Sequence, residues 1–335
     1  MNFTVTLGIK YPIIQAPMGG VTTPRFVAAA AEVGILGSIG AGYLSGEATR
    51  VFIEEVRKLT DKPIAVNLFV PNDVEMDQEL MRQAYLGLQS VGKKLGMPFW
   101  RAPLSEPSFH EQIEVIIEKR VEICSFTFGL PDEEVIRKLK KQDIYLIGTA
   151  TTVEEAVMAE KVGMDAVVVQ GKEAGGHRGS FLCEKLVPLD ELLRTAVEVV
   201  SIPVIAAGGI ANKKQMDTQL LRGAAAVQIG TAFLATEESG AHPLYKQAVL
   251  DATENNTVLT KSFSGKSARG IRNQFIDMMN GVPIAPYPYQ NDLTKKIRTE
   301  AAAKGRPEFM SLWAGESVHE TVSGTVMEIV EKFIN

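Results

Sequence analysis

The sequence predicts one (β/α)8 (TIM) barrel carrying an insertion after the third strand and a C-terminal extension over the barrel mouth. Three observations carry that prediction. Eight short apolar runs, many of them β-branched, recur through the 335 residues and alternate with helical segments. Runs this continuously apolar are what strands covered on both faces of a parallel sheet require. The late runs stop at glycine turns, which suits a barrel mouth built from backbone. A doubly wound open sheet would use the same units, but eight of them and the late glycine turns favour closure.

Taken in order, Pro12–Met18 is the first strand, ended by Gly19-Gly20. Thr23-Pro24 opens a helix, with Thr as cap and Pro at the first helical position, and Gly34 closes it. Ile35–Tyr43 is the second strand. Glu47–Leu59 is an amphipathic helix with Val51, Val56 and Leu59 on or near one face. Pro63–Val70 is the third strand. The rhythm then breaks from Pro71 to Arg120, a stretch rich in Met and Pro. It is either an insertion folded over the barrel mouth or a surface excursion.

Val121–Gly129 resumes the pattern as the fourth strand, and Pro131 starts a helix with acidic residues in its first turn. Asp143–Ala150 is the fifth strand. Thr152-Val153-Glu154-Glu155 reads as a capping box, and Gly163 ends its helix. Asp165–Gln170 is the sixth strand, Pro188–Val199 a helix, Pro203–Ala207 the seventh strand, Lys213–Leu221 a helix and Ala225–Ile229 the eighth strand. The chain thus divides into a barrel (1–70 and 121–255), an insertion (71–120) and an extension (256–335). That extension exceeds what a closing helix needs and must pack outside the barrel or across its mouth.

Composition narrows the function. Hydrophobic residues make up 45% and charged residues 22%, as in a soluble globular protein, and the net charge of −5 supplies no basic surplus for nucleic acid. No apolar run reaches membrane-spanning length. Two distant cysteines, Cys124 and Cys183, read as thiols in a reducing cytoplasm, where the protein is expected to reside. No metal constellation, nucleophile elbow or Walker loop is present, so an organic cofactor is expected to supply the difficult chemistry.

Barrel sites lie at the C-terminal ends of the strands, often with phosphate bound after strands 7 and 8. Gly208-Gly209 follows strand 7, and Gly230-Thr231 follows Gln228-Ile229 of strand 8. Glycine lets backbone N–H groups approach a phosphate, and two such turns at the expected places favour that role over plain tight turns. The loop after strand 6 adds Gln170, Gly175, Gly176 and His177. Placed there, His177 is the candidate catalytic base, and Arg178 beside it should favour the neutral imidazole. His110, His242 and His319 read as surface residues. Asn67 and Gln15 either face a cofactor or satisfy buried backbone. Glu173 pairs with Arg178 or is solvated, and the basic, glycine-containing run Ser264–Gly270 either covers a phosphate or, the favoured reading, is a solvated loop.

These residues resemble the nitronate monooxygenases, formerly called 2-nitropropane dioxygenases. The matching segments are Pro12–Met18, Ala65–Leu68, Ser125–Gly129, Gln170–Gly179, Ala206–Ile210, Gln228–Leu234 and Ser264–Asn273. Tyr287–Asn291 and Trp313–Glu316 match in the tail. The resemblance implies an FMN-dependent barrel enzyme that oxidises alkyl nitronates with O2 to a carbonyl compound and nitrite. It implies that His177 acts beside the FMN ring, that Asn67, Gln170, Gly175, Gly209 and Gln228–Thr231 hold the flavin, and that the tail returns to the site. A small-molecule substrate and O2 are the expected partners. Ala211-Asn212-Lys213 departs from the Asp-Gly pair of many relatives. Flavin-dependent enoyl-acyl-carrier-protein and quinone reductases are similar around Gly175-Gly176-His177, so NAD(P)H oxidation is the alternative activity.

Overall fold

The computed structural model describes residues 3–72, 74–97, 99–104 and 108–335. Its first half contains α1 (Phe3–Leu7), β1 (Ile13–Gln15), α2 (Pro24–Glu32), β2 (Gly37–Gly40), α3 (Gly46–Arg57) and β3 (Ile64–Phe69). Then come α4 (Gln78–Lys94), α5 (Phe109–Glu118), β4 (Ile123–Thr127), α6 (Glu133–Lys140), β5 (Tyr145–Ala150), α7 (Val153–Val162) and β6 (Ala166–Gln170). Past the short β7 (Gly176–His177) lie α8 (Leu189–Val199), β8 (Val204–Ala207), α9 (Lys213–Leu221) and β9 (Ala226–Ile229). The remainder holds α10 (Pro243–Leu250), β10 (Thr257–Thr260), β11 (Ala268–Ile271), α11 (Gln274–Met278), α12 (Tyr289–Ala303) and α13 (Val326–Ile334).

Eight parallel strands run in the order β1-β9-β8-β6-β5-β4-β3-β2. The ring closes where Leu36 N donates to Ile13 O at 3.0 Å and Gln15 N donates to Leu36 O at 2.9 Å. Gln15 serves backbone here, since its Oε1 accepts from Ser38 N at 2.9 Å. The eight predicted strands therefore form the predicted (β/α)8 barrel.

Alternation along the strands sorts the residues. Val66, Leu68, Cys124, Phe126, Val167, Val169 and Val227 pack outward in the main core with the helices. Ile14, Ala65, Ile123, Ile147, Val168 and Ile205 pack inward with Phe3 and Leu7 of α1. Further along, the inward positions turn polar and line a cavity: Asn67, Ser125, Thr127, Thr149, Gln170 and Gln228.

Several expectations are corrected. On α3 the buried face is Thr49, Ile53 and Val56, while Val51 and Leu59 are exposed. Val51 lies about 200° around the helix from Thr49, since each residue turns it by roughly 100°. Thr152 caps α7 by accepting from Glu155 N at 3.2 Å, but Glu155 does not return to the Thr152 amide. Its buried carboxylate instead accepts from Thr151 N (2.6 Å), Phe181 N (2.7 Å) and Leu182 N (2.8 Å), tying the loop after β7 to the barrel.

The stretch 71–120 divides in two. Phe109, Ile113 and Ile116 of α5 join the main core as a barrel helix, whereas α4 packs its Ala84, Leu88 and Val91 against the tail. Residues 73, 98 and 105–107 of that stretch lie outside the described residues. Trp100 Nε1 donates to Leu293 O of α12 at 3.1 Å, so α4 and the tail share a second core. The tail likewise divides: α13 returns to the barrel, burying Val326, Ile329, Val330 and Phe333 in the main core. It starts with a full capping box between Thr325 and Glu328.

Candidate active site

The cavity opens at the C-terminal ends of the strands, between the barrel and the tail. Every residue expected to bind cofactor or act in catalysis lines it: Asn67, Gln170, Gly175, Gly176, His177, Gly208, Gly209, Gln228, Ile229, Gly230 and Thr231. Among the described residues, the N–H groups of Gly209, Gly230 and Thr231 donate to no protein acceptor. Gly209 has φ +69, which a glycine accommodates without strain. Unpaired donors on two adjacent glycine turns fit a phosphate. The departure at Ala211-Asn212-Lys213 leaves this arrangement intact, because Asn212 caps α9 by accepting from Gln215 N at 2.9 Å.

The loop after β6 is held from within. Gln170 donates through Nε2 to His177 O at 3.0 Å and accepts at Oε1 from Gly179 N at 2.8 Å. Its amide thus shapes the loop while its side chain borders the cavity. Arg178 is fully buried and donates to the carbonyls of Gly171 and Gln170, the latter at 2.9 Å. Burial brings its pKa down to about 10, so it remains a cation at neutral pH. Glu173 accepts from Leu189 N at 3.0 Å, and burial raises its pKa.

His177 belongs to a three-stranded antiparallel sheet in the order β10-β11-β7, with Ala268 opposite His177. The expected solvated loop at Ser264–Gly270 is therefore corrected: Ser264 and Arg269 are buried, and the segment leads into β11. His177 Nε2 lies 2.8 Å from Ser264 Oγ, whose oxygen also receives Lys266 N at 3.3 Å. The imidazole packs 5.3 Å from the Trp313 ring and 5.9 Å from the Phe128 ring, centroid to centroid. Burial, then the positive charges of Arg298 and Lys266, lower its pKa to about 3. Its neutrality was expected, but Arg298 and Lys266 are the cations responsible rather than Arg178.

Phe128 has φ +73, an outlying conformation for a bulky residue, and such strain concentrates at functional sites. Lys266 Nζ sits 4.6 Å from the centre of its ring and donates to Ser180 O at 2.9 Å. The tail clamps the mouth. Gly315 N donates to Thr231 Oγ1 at 3.0 Å, Glu316 N to Glu173 O at 3.0 Å, and Ser317 Oγ to Gly209 O at 2.8 Å. Arg269 adds an ion pair to Glu316 at 2.8 Å. Gly175 permits the approach: a β-carbon there would stand 2.5 Å from Gly315 N.

Ser125, Thr127, Thr149, Ser264 and Arg298 escaped sequence reasoning. For the three strand residues alternation marks one face of each strand, but only the register of the closed ring shows that this face is shared with Asn67. Asn67 Nδ2 donates to Ser125 Oγ at 2.9 Å and to Thr127 Oγ1 at 3.1 Å. His110, His242 and His319 are exposed, as expected. Among the described residues no cluster of His, Cys, Asp and Glu could hold a metal, and no helix is long and apolar enough to cross a membrane.

A (β/α)8 barrel with a histidine and paired glycine turns lining the cavity at its mouth has the layout of a barrel enzyme's active site. The family model for nitronate monooxygenase matches residues 2–335, and the chain belongs to that family. A curated relative from Staphylococcus haemolyticus called "Probable nitronate monooxygenase" is 45% identical, with 99% of this chain and 96% of the relative covered. One from Staphylococcus aureus with the same name is 44% identical, covering 100% and 96%. The nitroalkane oxidase structure from Streptomyces ansochromogenes superposes with a TM-score of 0.93 at 35% identity, covering 99% of this chain and 96% of that one. FabK from Thermotoga maritima gives 0.78 at 31% identity, covering 99% and 94%.

Proposed function

We propose that this protein uses FMN to oxidise alkyl nitronates, and nitroalkanes after removal of their α-proton, with O2 as the final acceptor. The products are a carbonyl compound and nitrite, two nitronates and one O2 giving two of each, so that both oxygen atoms end in the carbonyl groups. One observation carries the reading: a half-buried imidazole, held neutral, at the junction of a phosphate-fitting glycine cradle and an open chamber. FMN, when bound, would supply the redox chemistry between the nitronate and oxygen.

The unpaired N–H groups of Gly209, Gly230 and Thr231 would hold its phosphate, and Asn67 and Gln170 would border its ring system. Gly175, Gly176 and Gly208 bring the backbone close along the same wall, with Gln228 and Ile229 completing the floor. His177, neutral at working pH, accepts the α-proton of a neutral nitroalkane. Ser264 at Nε2 steadies the ring, and Trp313 and Phe128 restrict its rotation. For a substrate already in the nitronate form, His177 can donate a hydrogen bond to a nitronate oxygen instead.

NAD(P)H oxidation is the second reading, supported by the resemblance of Gly175-Gly176-His177 to the flavin-dependent reductases, and it ranks second because the tail around Trp313-Ala314-Gly315 resembles the monooxygenases. Both are tested by reconstituting the protein with FMN and measuring oxygen uptake with propyl nitronate and, separately, NADPH and NADH oxidation. Oxygen uptake with nitrite release is expected. Rapid nicotinamide oxidation without nitronate turnover would refute the first reading.

A further inference from the structure

Glu155 is a fully buried carboxylate that the proposed chemistry leaves unused. It stands on α7, apart from the residues lining the cavity, and every partner it has is a donor. Thr151 N at 2.6 Å and Thr151 Oγ1 at 2.8 Å reach one oxygen, while Phe181 N at 2.7 Å and Leu182 N at 2.8 Å reach the other. Four donors at once are satisfied in full only by an ionised carboxylate. Among the described residues no side-chain cation hydrogen-bonds to it. A buried charge is costly unless something compensates it.

The compensation arrives through a peptide group. Phe181 N–H and Ser180 C=O belong to one peptide unit, and Ser180 O accepts from Lys266 Nζ at 2.9 Å. A carboxylate thus sits at the positive end of that peptide dipole and an ammonium at its negative end, so each hydrogen bond strengthens the other. Burial lowers the Lys266 pKa, and the charges of Glu184 and Glu155 oppose that fall.

The bridged peptide begins three positions past His177, and Lys266 reaches the surroundings of the imidazole by two further routes. Its ammonium lies 4.6 Å from the centre of the Phe128 ring, which packs against His177. Its backbone N–H donates at 3.3 Å to the Ser264 oxygen that meets His177 Nε2.

We propose that Glu155 and Lys266 form an ion pair bridged by the Ser180–Phe181 peptide, and that both are positioning residues for His177. Helix α7 of the barrel and the tail segment leading into β11 grip the same loop at the two ends of one peptide unit. Cutting either end frees the loop, so Phe128 and the imidazole lose their alignment. The kinetic consequence rests on the proposed proton abstraction by His177; the bridge itself does not.

The test uses the full-length, FMN-loaded protein with Glu155→Gln, Lys266→Met, Lys266→Arg and the double variant Glu155→Gln/Lys266→Met. With nitroethane, Glu155→Gln and Lys266→Met should each lower kcat by about tenfold while KM and flavin content stay nearly unchanged, as loss of one charge-assisted hydrogen bond predicts. Lys266→Arg should keep most of the wild-type rate. The double variant should lose no more than the worse single one, because both changes cut one bridge. Hydrogen exchange read by mass spectrometry gives a measure independent of turnover. Peptides spanning 178–182 should exchange at least about tenfold faster in Lys266→Met, although Lys266 touches only the oxygen of the bridged unit.

Losses that multiply in the double variant would mean two independent contacts and overturn the proposal. Unchanged exchange at 178–182 in Lys266→Met would overturn it too, and that result needs neither an active enzyme nor a folded Glu155 variant. Faster exchange with an unaltered kcat would refute the positioning role. Faster exchange in a protein that oxidises no nitro compound would uphold the bridge and refute the proposed activity.

Discussion

His177 Nε2 and Ser264 Oγ lie 2.8 Å apart, although 87 positions separate them in the chain. The contact exists because β7 and β11 pair, and it gives the proposed base a partner on one ring nitrogen. Replacing Ser264 by alanine should lower kcat with neutral nitroethane by about tenfold, the scale of one net hydrogen bond. Activity on preformed propyl nitronate should change less. Equal losses on both substrates would show that Ser264 does not act through proton abstraction.

His177→Asn should keep bound FMN and lose about 10²- to 10⁴-fold in kcat with neutral nitroalkanes, the usual worth of a positioned general base. Steady-state rates and the flavin content of the purified variant measure both. Unchanged turnover would remove His177 as the base.

The half-buried imidazole also predicts a stability profile. Its folded pKa is about 3 against an ordinary 6.5, so between those values the unfolded chain binds the extra proton. The contribution from neutral His177 is present above pH 6.5 and is lost as pH falls towards 3. Denaturant unfolding of wild type should therefore weaken over this window more steeply than that of His177→Asn. Parallel curves would mean the imidazole is not held neutral.

Gly209→Ala should weaken FMN retention by at least about tenfold, because a left-handed residue with a side chain costs roughly 1–2 kcal/mol and displaces a phosphate donor. Gly175→Ala acts on the clamp instead. Its added carbon meets Gly315 N at 2.5 Å and the Ala314 carbonyl carbon at 2.6 Å, against overpacking costs of about 1–3 kcal/mol. Thermal melts with and without FMN should show both effects. A Gly175→Ala protein as stable as wild type would mean that the tail rests on the loop without being fastened to it.

Much of this molecule was legible as local pattern. The eight strands, the glycine turns and His177 follow from apolar periodicity and from where glycines interrupt it. What stayed hidden depends on pairing between distant segments. Ser125 and Thr149 look like ordinary strand residues until the ring is closed. Ser264 looks like loop until β11 finds β7. Arg298 carries no local signal in the tail, and only the packing of α12 against α4 brings its charge to bear on His177. The misplacement of Val51 has a simpler cause: apolar character was counted without following the helical angle from residue to residue.

The return of α13 to the barrel wall has a consequence for the order in which the protein is made. The helix completing the eighth unit is separated from β9 by residues 230–325, and it lies beside α2. During translation the barrel strands emerge first, and the outer wall stays open on that side until the intervening chain has left the ribosome. The clamp over the mouth and the seam between α13 and α2 are therefore late events, joining early- and late-synthesised parts of the chain. Until then the apolar groove awaiting Phe333 and Val330 stays exposed, which makes this seam the place where a stalled chain would meet chaperones.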